Sequence, residues 1–359
     1  MVEWKKLDIC LDYEQPTPYL VQSTEYDDSY KVPVLTAGQS LLLGYTNEKD
    51  GVYKASKENP CIIFDDFTTS FHWIDFDFKV KSSAMKMLRP KDNVNFRYVY
   101  YAMLGINFIP SGHQRHWIAK FSQLEIPVPS LSEQIRIVNI LDTFTSSIDN
   151  LKQQLAERRK QYEHYRDQLL DLEGKDGVEK KTLGDVGEIC MCKRIMKDQT
   201  SDKGDIPFFK IGTFGGKADA YITRSLFEEY KNKFSYPKKG NILISAAGTI
   251  GRSVVFDGED AYFQDSNIVW IANDETLVTN RYLYFFYQIA AWKTDGGTIR
   301  RLYNYNLKNT EIPVPSFSEQ SRIVSILDTF EASIANLDAQ LELRKKQYEY
   351  YRNKLLTFE

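Results

Sequence analysis

One block of this sequence is written twice. Residues 126–170 open IPVPSLSEQIRIVNILDTF and close RRKQYEHYRDQLL; residues 312–356 open IPVPSFSEQSRIVSILDTF and close RKKQYEYYRNKLL. At an offset of 186 residues, roughly 31 of 45 positions are identical. An internal repeat this close means one structural unit built twice, and it sets the frame for the whole chain.

Each copy carries its own start signal. Pro127 and Pro129, like Pro313 and Pro315, keep the entry segment extended. Ser130 with Glu133, and Ser316 with Glu319, fit a capping box at a helix N-terminus. No Pro or Gly then occurs until Gly174 in the first copy or the last residue in the second. Ile137, Leu141, Phe144, Ile148, Leu151, Leu155, Arg158, Tyr162, Tyr165 and Leu169 step by alternating fours and threes, and the second copy repeats the pattern from Ile323 to Leu355. This is a heptad seam, broken by one arginine at the same place in both copies, and it calls for a partner helix. Two matching seams in one chain are expected to pair with each other, as helices of about 58 Å at 1.5 Å per residue. A coiled coil between separate chains is the alternative. Antiparallel pairing is favoured, because a parallel pair would crowd the remaining segments at one end.

Two blocks of similar length fill the rest. Each opens alike, Trp4-Lys5-Lys6-Leu7 and Lys180-Lys181-Thr182-Leu183, and each closes on the proline segment. Cys61–Phe64, Ile206–Ile211, Asn241–Ser245 and Ser253–Phe256 read as short strands. Asn95–Leu104 and Asn280–Ile289 each read as an amphipathic helix with an Asn cap. The expected division is 1–124, first globular domain; 125–173, first helical repeat; 174–310, second globular domain; 311–359, second helical repeat. Two blocks on one plan with divergent sequences fit two different recognition tasks.

The doubled IPVPSxSEQxRIVxILD opening, the Tyr- and Arg-rich helix behind it, and GNILISAAGTIGRS (Gly240–Ser253) resemble type I restriction-modification specificity subunits. The resemblance spans essentially the whole chain and is most specific in the repeats. It implies an α+β fold: two mixed α/β target-recognition domains joined by two long antiparallel helices that form a coiled coil, with pseudo-two-fold symmetry. It implies that each domain reads one half of a split site on double-stranded DNA while the helices set the spacing. The implied partners are two methyltransferase subunits, which would carry the S-adenosylmethionine, and optionally a motor-nuclease restriction subunit; no membrane is involved. No cofactor and no catalysis are expected in this chain. A helix of about 58 Å spans one to two turns of B-DNA, at about 34 Å per turn. The first domain lacks a Gly-rich segment like that of the second.

Base reading needs polar side chains on loops that reach groove edges, and phosphate contact needs Lys, Arg and small donors. In the second domain the candidates are Arg300, Arg301, Tyr303 and Asn304, in the stretch before the proline segment, and Thr249, Arg252, Gln264, Ser266 and Asn267. Under the repeat offset Arg301 corresponds to Arg115 and Tyr303 to Trp117. The first-domain candidates are therefore His113, Arg115, His116 and Trp117, with His72 as a further donor; the shared arginine leads both sets. The formal net charge of −3 hides an excess of Lys and Arg over residues 180–308 and of Asp and Glu over 125–179, and a DNA footprint can be local.

The chemistry of modification is missing. There is no Asn/Asp-Pro-Pro-aromatic tetrapeptide, and Gly212-Thr213-Phe214-Gly215-Gly216-Lys217-Ala218 has the wrong spacing for a phosphate loop, with Ala218 where Ser or Thr is needed. Cys190-Met191-Cys192 has no second ligand pair, and the histidines have no supporting cluster, so no metal is expected. No run of about eighteen apolar residues and no leader-type N-terminus occur, so a cytoplasmic location is expected. The competing function is a scaffold whose globular blocks bind proteins; salt-dependent DNA binding separates the two.

Overall fold

The computed structural model describes residues 2–38, 40–112, 114–295 and 300–358. Contacts divide the chain into two units, Met1–Lys152 with Ala339–Glu359, and Gln153–Asp338. Each long helix, Leu131–Leu170 and Phe317–Leu356, is continuous over 40 residues and contributes to both units.

Both units follow one plan. In the first, an antiparallel sheet has the strand order Leu11–Glu14, Met85–Pro90, Cys61–Asp65, Phe71–Ile74. In the second, the order is Gly187–Met191, Ile268–Asn273, Ile242–Ser245, Ser253–Val255. A three-stranded sheet accompanies each: Leu42–Thr46, Val32–Leu35, Lys79–Val80 in the first, and Ala220–Ile222, Ile206–Phe209, Tyr262–Phe263 in the second. The proline segment of each repeat is one strand of a two-stranded ribbon. Glu125–Val128 pairs with Glu3–Lys6, and Glu311–Val314 with Glu179–Thr182. Proline is tolerated there because such ribbons have open edges.

The short helices Phe96–Leu104 and Asn280–Ile289 lie in corresponding places. Asn95 caps the first as expected, its side chain accepting from the Tyr98 N–H at 3.0 Å. The second is capped by Thr279 instead, whose hydroxyl accepts from the Tyr282 N–H at 3.2 Å. Asn280 lies one residue inside the helix and bonds Asn273 and Glu275. Two Asx-type or hydroxyl residues in a row leave the cap undecided in sequence; only the backbone turn selects one.

The capping box expected at the start of the long helices is half made in the second copy, where Ser316 Oγ accepts the Glu319 N–H at 3.3 Å, but the glutamate half is not made in either. Glu133 and Glu319 are held by Arg136 and Arg322, at 2.6 and 2.7 Å, instead of reaching back to the cap. The glutamines do the fastening. Gln134 is buried, accepts from the Asn95 N–H at 2.8 Å and donates to the Pro129 carbonyl at 2.8 Å. Gln320 is likewise buried, accepts from the Thr279 N–H at 2.9 Å and donates to the Leu277 and Pro315 carbonyls. Each glutamine satisfies a free N–H at the start of the short helix, so both helices are locked at the same junction. Arg97 to Asp142 (2.8 Å) and Arg281 to Asp328 (2.6 Å) tie the same helix pairs again.

The seams pair antiparallel in both units. In the first, Phe144 stacks on Tyr351 with centroids 5.2 Å apart; in the second, Tyr165 stacks on Phe330 at 5.3 Å. These contacts match under the repeat offset. The arginine that interrupts the seam is now explained. Arg344 lies over the Phe144 ring at 5.7 Å, and Arg158 over the Phe330 ring at 5.8 Å. A guanidinium stacks on an aromatic face while its edge stays wet, so the heptad is continued by a cation–π contact.

Candidate nucleic-acid interface

In the second unit, strand Ile242–Ser245 is followed by Ala246, whose carbonyl accepts the Leu302 N–H at 2.9 Å. Ala246 also donates to the Asn267 carbonyl at 2.7 Å. Arg301 is therefore anchored through its neighbour beside the loop 264–267. Its guanidinium donates to Ser266 Oγ at 3.2 Å and to Asn267 Oδ1. Ser266 has φ +50°, a left-handed conformation that a non-glycine residue adopts at some strain. A cavity of about 780 Å³ opens here, lined by Arg194, Lys197, Lys210, Gln264, Ser266 and Arg301 among others. Arg194 pairs with Asp265 at 2.8 Å and Lys210 with Asp219 at 2.8 Å. Cations, an amide and hydroxyls around one open, polar hollow are the groups that match base edges and phosphates.

Around this hollow the other candidates have defined places. Gln264 accepts from the Ile211 N–H at 2.9 Å through Oε1, leaving its amide NH₂ to other partners. Arg252 is used internally: its guanidinium donates to the Phe214 carbonyl at 2.8 Å. Thr249 is exposed on the turn that follows Ser245, and its carbonyl accepts the Ser245 hydroxyl. That turn needs Gly251, which has φ +82° and lies against the Trp292 indole, so that a Cβ there would collide with the ring. Arg300 and Asn304 are exposed, and Tyr303 stacks on Tyr305 with rings 6.0 Å apart. Tyr305 and Asn306 both donate to Asp295 and hold its carboxyl below the usual range. Residues 296–299 lie outside the described residues.

The first unit repeats the anchor with different side chains. Asp66 follows strand Cys61–Asp65; its carbonyl accepts the His116 N–H at 2.8 Å, and its N–H donates to the Ala84 carbonyl at 2.8 Å. Arg115 thus occupies the backbone place of Arg301. It is exposed, and among the described residues it has no hydrogen bond or ion pair. Asp66 does more than Ala246 can. One carboxylate oxygen accepts the Trp117 N–H at 2.8 Å, and the other pairs with Lys86 at 3.0 Å, with both partners buried. His116 and Trp117, candidates for DNA contact, are 0% and 1% exposed. Trp117 packs on Phe64 at 4.9 Å, and His116 lies 5.6 Å from Phe108 with neither ring nitrogen hydrogen-bonded among the described residues. Their side chains face the core and shape the loop from beneath. His72 Nε2 lies 2.9 Å from the Gly38 carbonyl, so it braces the neighbouring hairpin. His113 lies outside the described residues.

The comparisons with known proteins decide the family. The family model described as "Type I restriction modification DNA specificity domain" matches residues 8–158 and again 175–343. The chain belongs to the type I restriction-modification specificity family. It is 39% identical to the Type I restriction enzyme EcoR124I/EcoR124II specificity subunit of Escherichia coli, over 99% of this chain and 94% of that one. It is 47% identical to a Haemophilus influenzae protein named as a type I restriction enzyme specificity subunit, over 99% and 96%. In fold it is similar to the S subunit of the type I restriction-modification system of M. genitalium, with TM-score 0.66 at 16% identity, covering 100% of this chain and 97% of that one. Specificity subunits are the non-catalytic component of their systems; the catalytic activities belong to other subunits.

Among the described residues of this specificity subunit, no group of three or more His, Cys, Asp or Glu could hold a metal ion, and no helix is long and apolar enough to cross a membrane. Sequence patterns brought together Gln264, Ser266, Asn267 and Arg301, which do adjoin. They missed Arg194, Lys197 and Lys210, which reach the same hollow from the segment after strand Gly187–Met191 and from the end of strand Ile206–Phe209. Lys210 fell inside the stretch read as a strand and no strand was expected before Arg194, so no local pattern singled out either.

Proposed function

We propose that this chain reads a split, two-part site on double-stranded DNA, one part with each unit, and performs no chemistry itself. The observation that carries this is a single backbone plan used twice. The same arginine sits at the end of the same central strand, and the side chains around it differ. Shared scaffolding with divergent loop chemistry suits two different base sequences. The long helices set the separation of the two parts; 40 residues at 1.5 Å make about 60 Å, nearly two turns of B-DNA.

In this reading the domains run 1–124 and 174–310 and the spacer repeats 125–173 and 311–359. Two methyltransferase subunits bind the chain and supply S-adenosylmethionine, and a restriction subunit can join them; the assembly works in the cytoplasm. The test is to express the chain with a methyltransferase subunit that binds it and map modified adenines across a host genome. The expected result is a motif of two short sequences separated by a fixed gap. An undivided motif would overturn the proposal, as would DNA binding by the complex that is insensitive to salt.

A further inference from the structure

The two units can be aligned through their backbone hydrogen bonds alone. Ser245 pairs with Ile268, and Asp65 with Met85, in the same antiparallel strand pair. One step beyond, Ala246 bonds Asn267 as Asp66 bonds Ala84. Three residues earlier, the Gln264 N–H bonds the Phe209 carbonyl as the Lys81 N–H bonds the Leu35 carbonyl. Phe209 and Leu35 themselves pair in parallel with Phe263 and Val80. The loop Lys81-Ser82-Ser83-Ala84 therefore stands in the first unit where Gln264-Asp265-Ser266-Asn267 stands in the second. Nothing in its local sequence marks it as a recognition segment.

We infer that Lys81 and Ser83, beside Arg115, form the base-reading edge of the first unit, and that this edge selects guanine. The inference rests on the split-site reading above. Lys81 and Ser83 are exposed, while Ser82 is spent on the turn, its hydroxyl accepting the Ala84 N–H at 3.1 Å. The decisive difference is at the fourth position. In the second unit Asn267 accepts from Arg301 and holds it; in the first, Ala84 has no group to do so. Among the described residues Arg115 keeps its whole donor fork, and Lys81 replaces the amide of Gln264 by an ammonium. Two donor-only side chains and a hydroxyl face one groove position. In the major groove guanine alone offers two adjacent acceptors, O6 and N7, to such a set.

The test uses the full complex with its methyltransferase subunits and the same genome-wide mapping. Arg115→Ala and Lys81→Ala should each relax a guanine position by about tenfold or more, both in the same half-site, with the other half-site unchanged. Ala84→Asn should trap Arg115 as Asn267 traps Arg301 and relax the same guanine. Melting of each variant complex checks folding, and Lys81 is exposed, so no change is expected there. The inference is overturned if Lys81→Ala weakens all sequences equally and lowers the salt slope by about one, the mark of a phosphate contact. It is also overturned if the two variants relax different half-sites, or a position that is not guanine. A two-part wild-type motif in which only Arg301→Ala relaxes a half-site defeats this inference alone; an undivided wild-type motif defeats the split-site reading beneath it.

Discussion

Asp66 and Ala246 occupy the same place in the two units, each at the end of a central strand, and each accepts a backbone N–H from the residue after the shared arginine. Around Asp66 lies a buried ion pair with Lys86 and a bond to the Trp117 N–H. Around Ala246 the matching position on the neighbouring strand is Val269, also buried, and the following loop is stabilised locally, with Asn306 accepting the Tyr303 N–H at 3.1 Å. The backbone bond is common, and the side-chain means of fixing the arginine loop are not. A loop at this place can therefore change its entire polar support while its anchor stays in register, so one scaffold can present two sets of side chains.

The largest expected break in this comparison is Asp66→Ala. It leaves Lys86 buried without a counter-charge and should cost about 3–5 kcal/mol of the first unit's stability. Calorimetry should show a lowered first-unit transition with the second unit's unchanged. The double variant Asp66→Ala, Lys86→Met should recover most of the loss; if it does not, the ion pair is not what supports the loop. Next come Gln134→Ala and Gln320→Ala. Each removes the acceptor for one buried N–H and should cost about 1–3 kcal/mol, by similar amounts in the two units, since the bonds match. Unequal losses measured by denaturant titration would show that the junctions are less alike than their geometry.

Smaller again is the difference between Arg97→Ala and Arg281→Ala. Arg281 serves both Asp328 and Glu331, whereas Arg97 serves one carboxylate, Asp142. Removing Arg281 leaves two neighbouring carboxylates facing each other. It should cost more than Arg97→Ala, by about 0.5–1 kcal/mol after allowance for solvent screening at these half-exposed pairs. Equal effects would place the carboxylate pair too far into solvent to matter. The weakest effect is chemical. Burial pushes the thiols of Cys61 and Cys192 up to about 12. Both stay protonated in the folded chain at pH 8, so alkylation there should follow only unfolding. Rapid labelling of either in the native protein would show that its cover opens.

Much of the fold was legible because it is encoded in periodicity. The heptad steps gave both long helices, and an exact offset gave their equivalence. The proline segments marked extended entries, while their pairing into ribbons with Glu3–Lys6 and Glu179–Thr182 was not legible. The candidate site was legible only in part. Arg301, Ser266 and Asn267 stood out by chemical type and do adjoin. His116 and Trp117 stood out for the same reason and are core residues, because polar or amphipathic type does not say which way a loop side chain turns. The buried glutamines were hidden in a motif whose neighbouring Ser and Glu suggested a cap, when the burial of Gln134 and Gln320 decides the junction.

What the sequence determined by itself was the doubling: a duplicated apolar period forces two like helices, and like seams hide their faces best against each other. Tertiary structure alone decided the rest. It set an arginine over a ring from the other helix, and it placed Lys81-Ser82-Ser83-Ala84 of the first unit in register with Gln264-Asp265-Ser266-Asn267 of the second. Those relations depend on hydrogen bonds between strands far apart in the chain, and no local pattern of residue types carries that pairing.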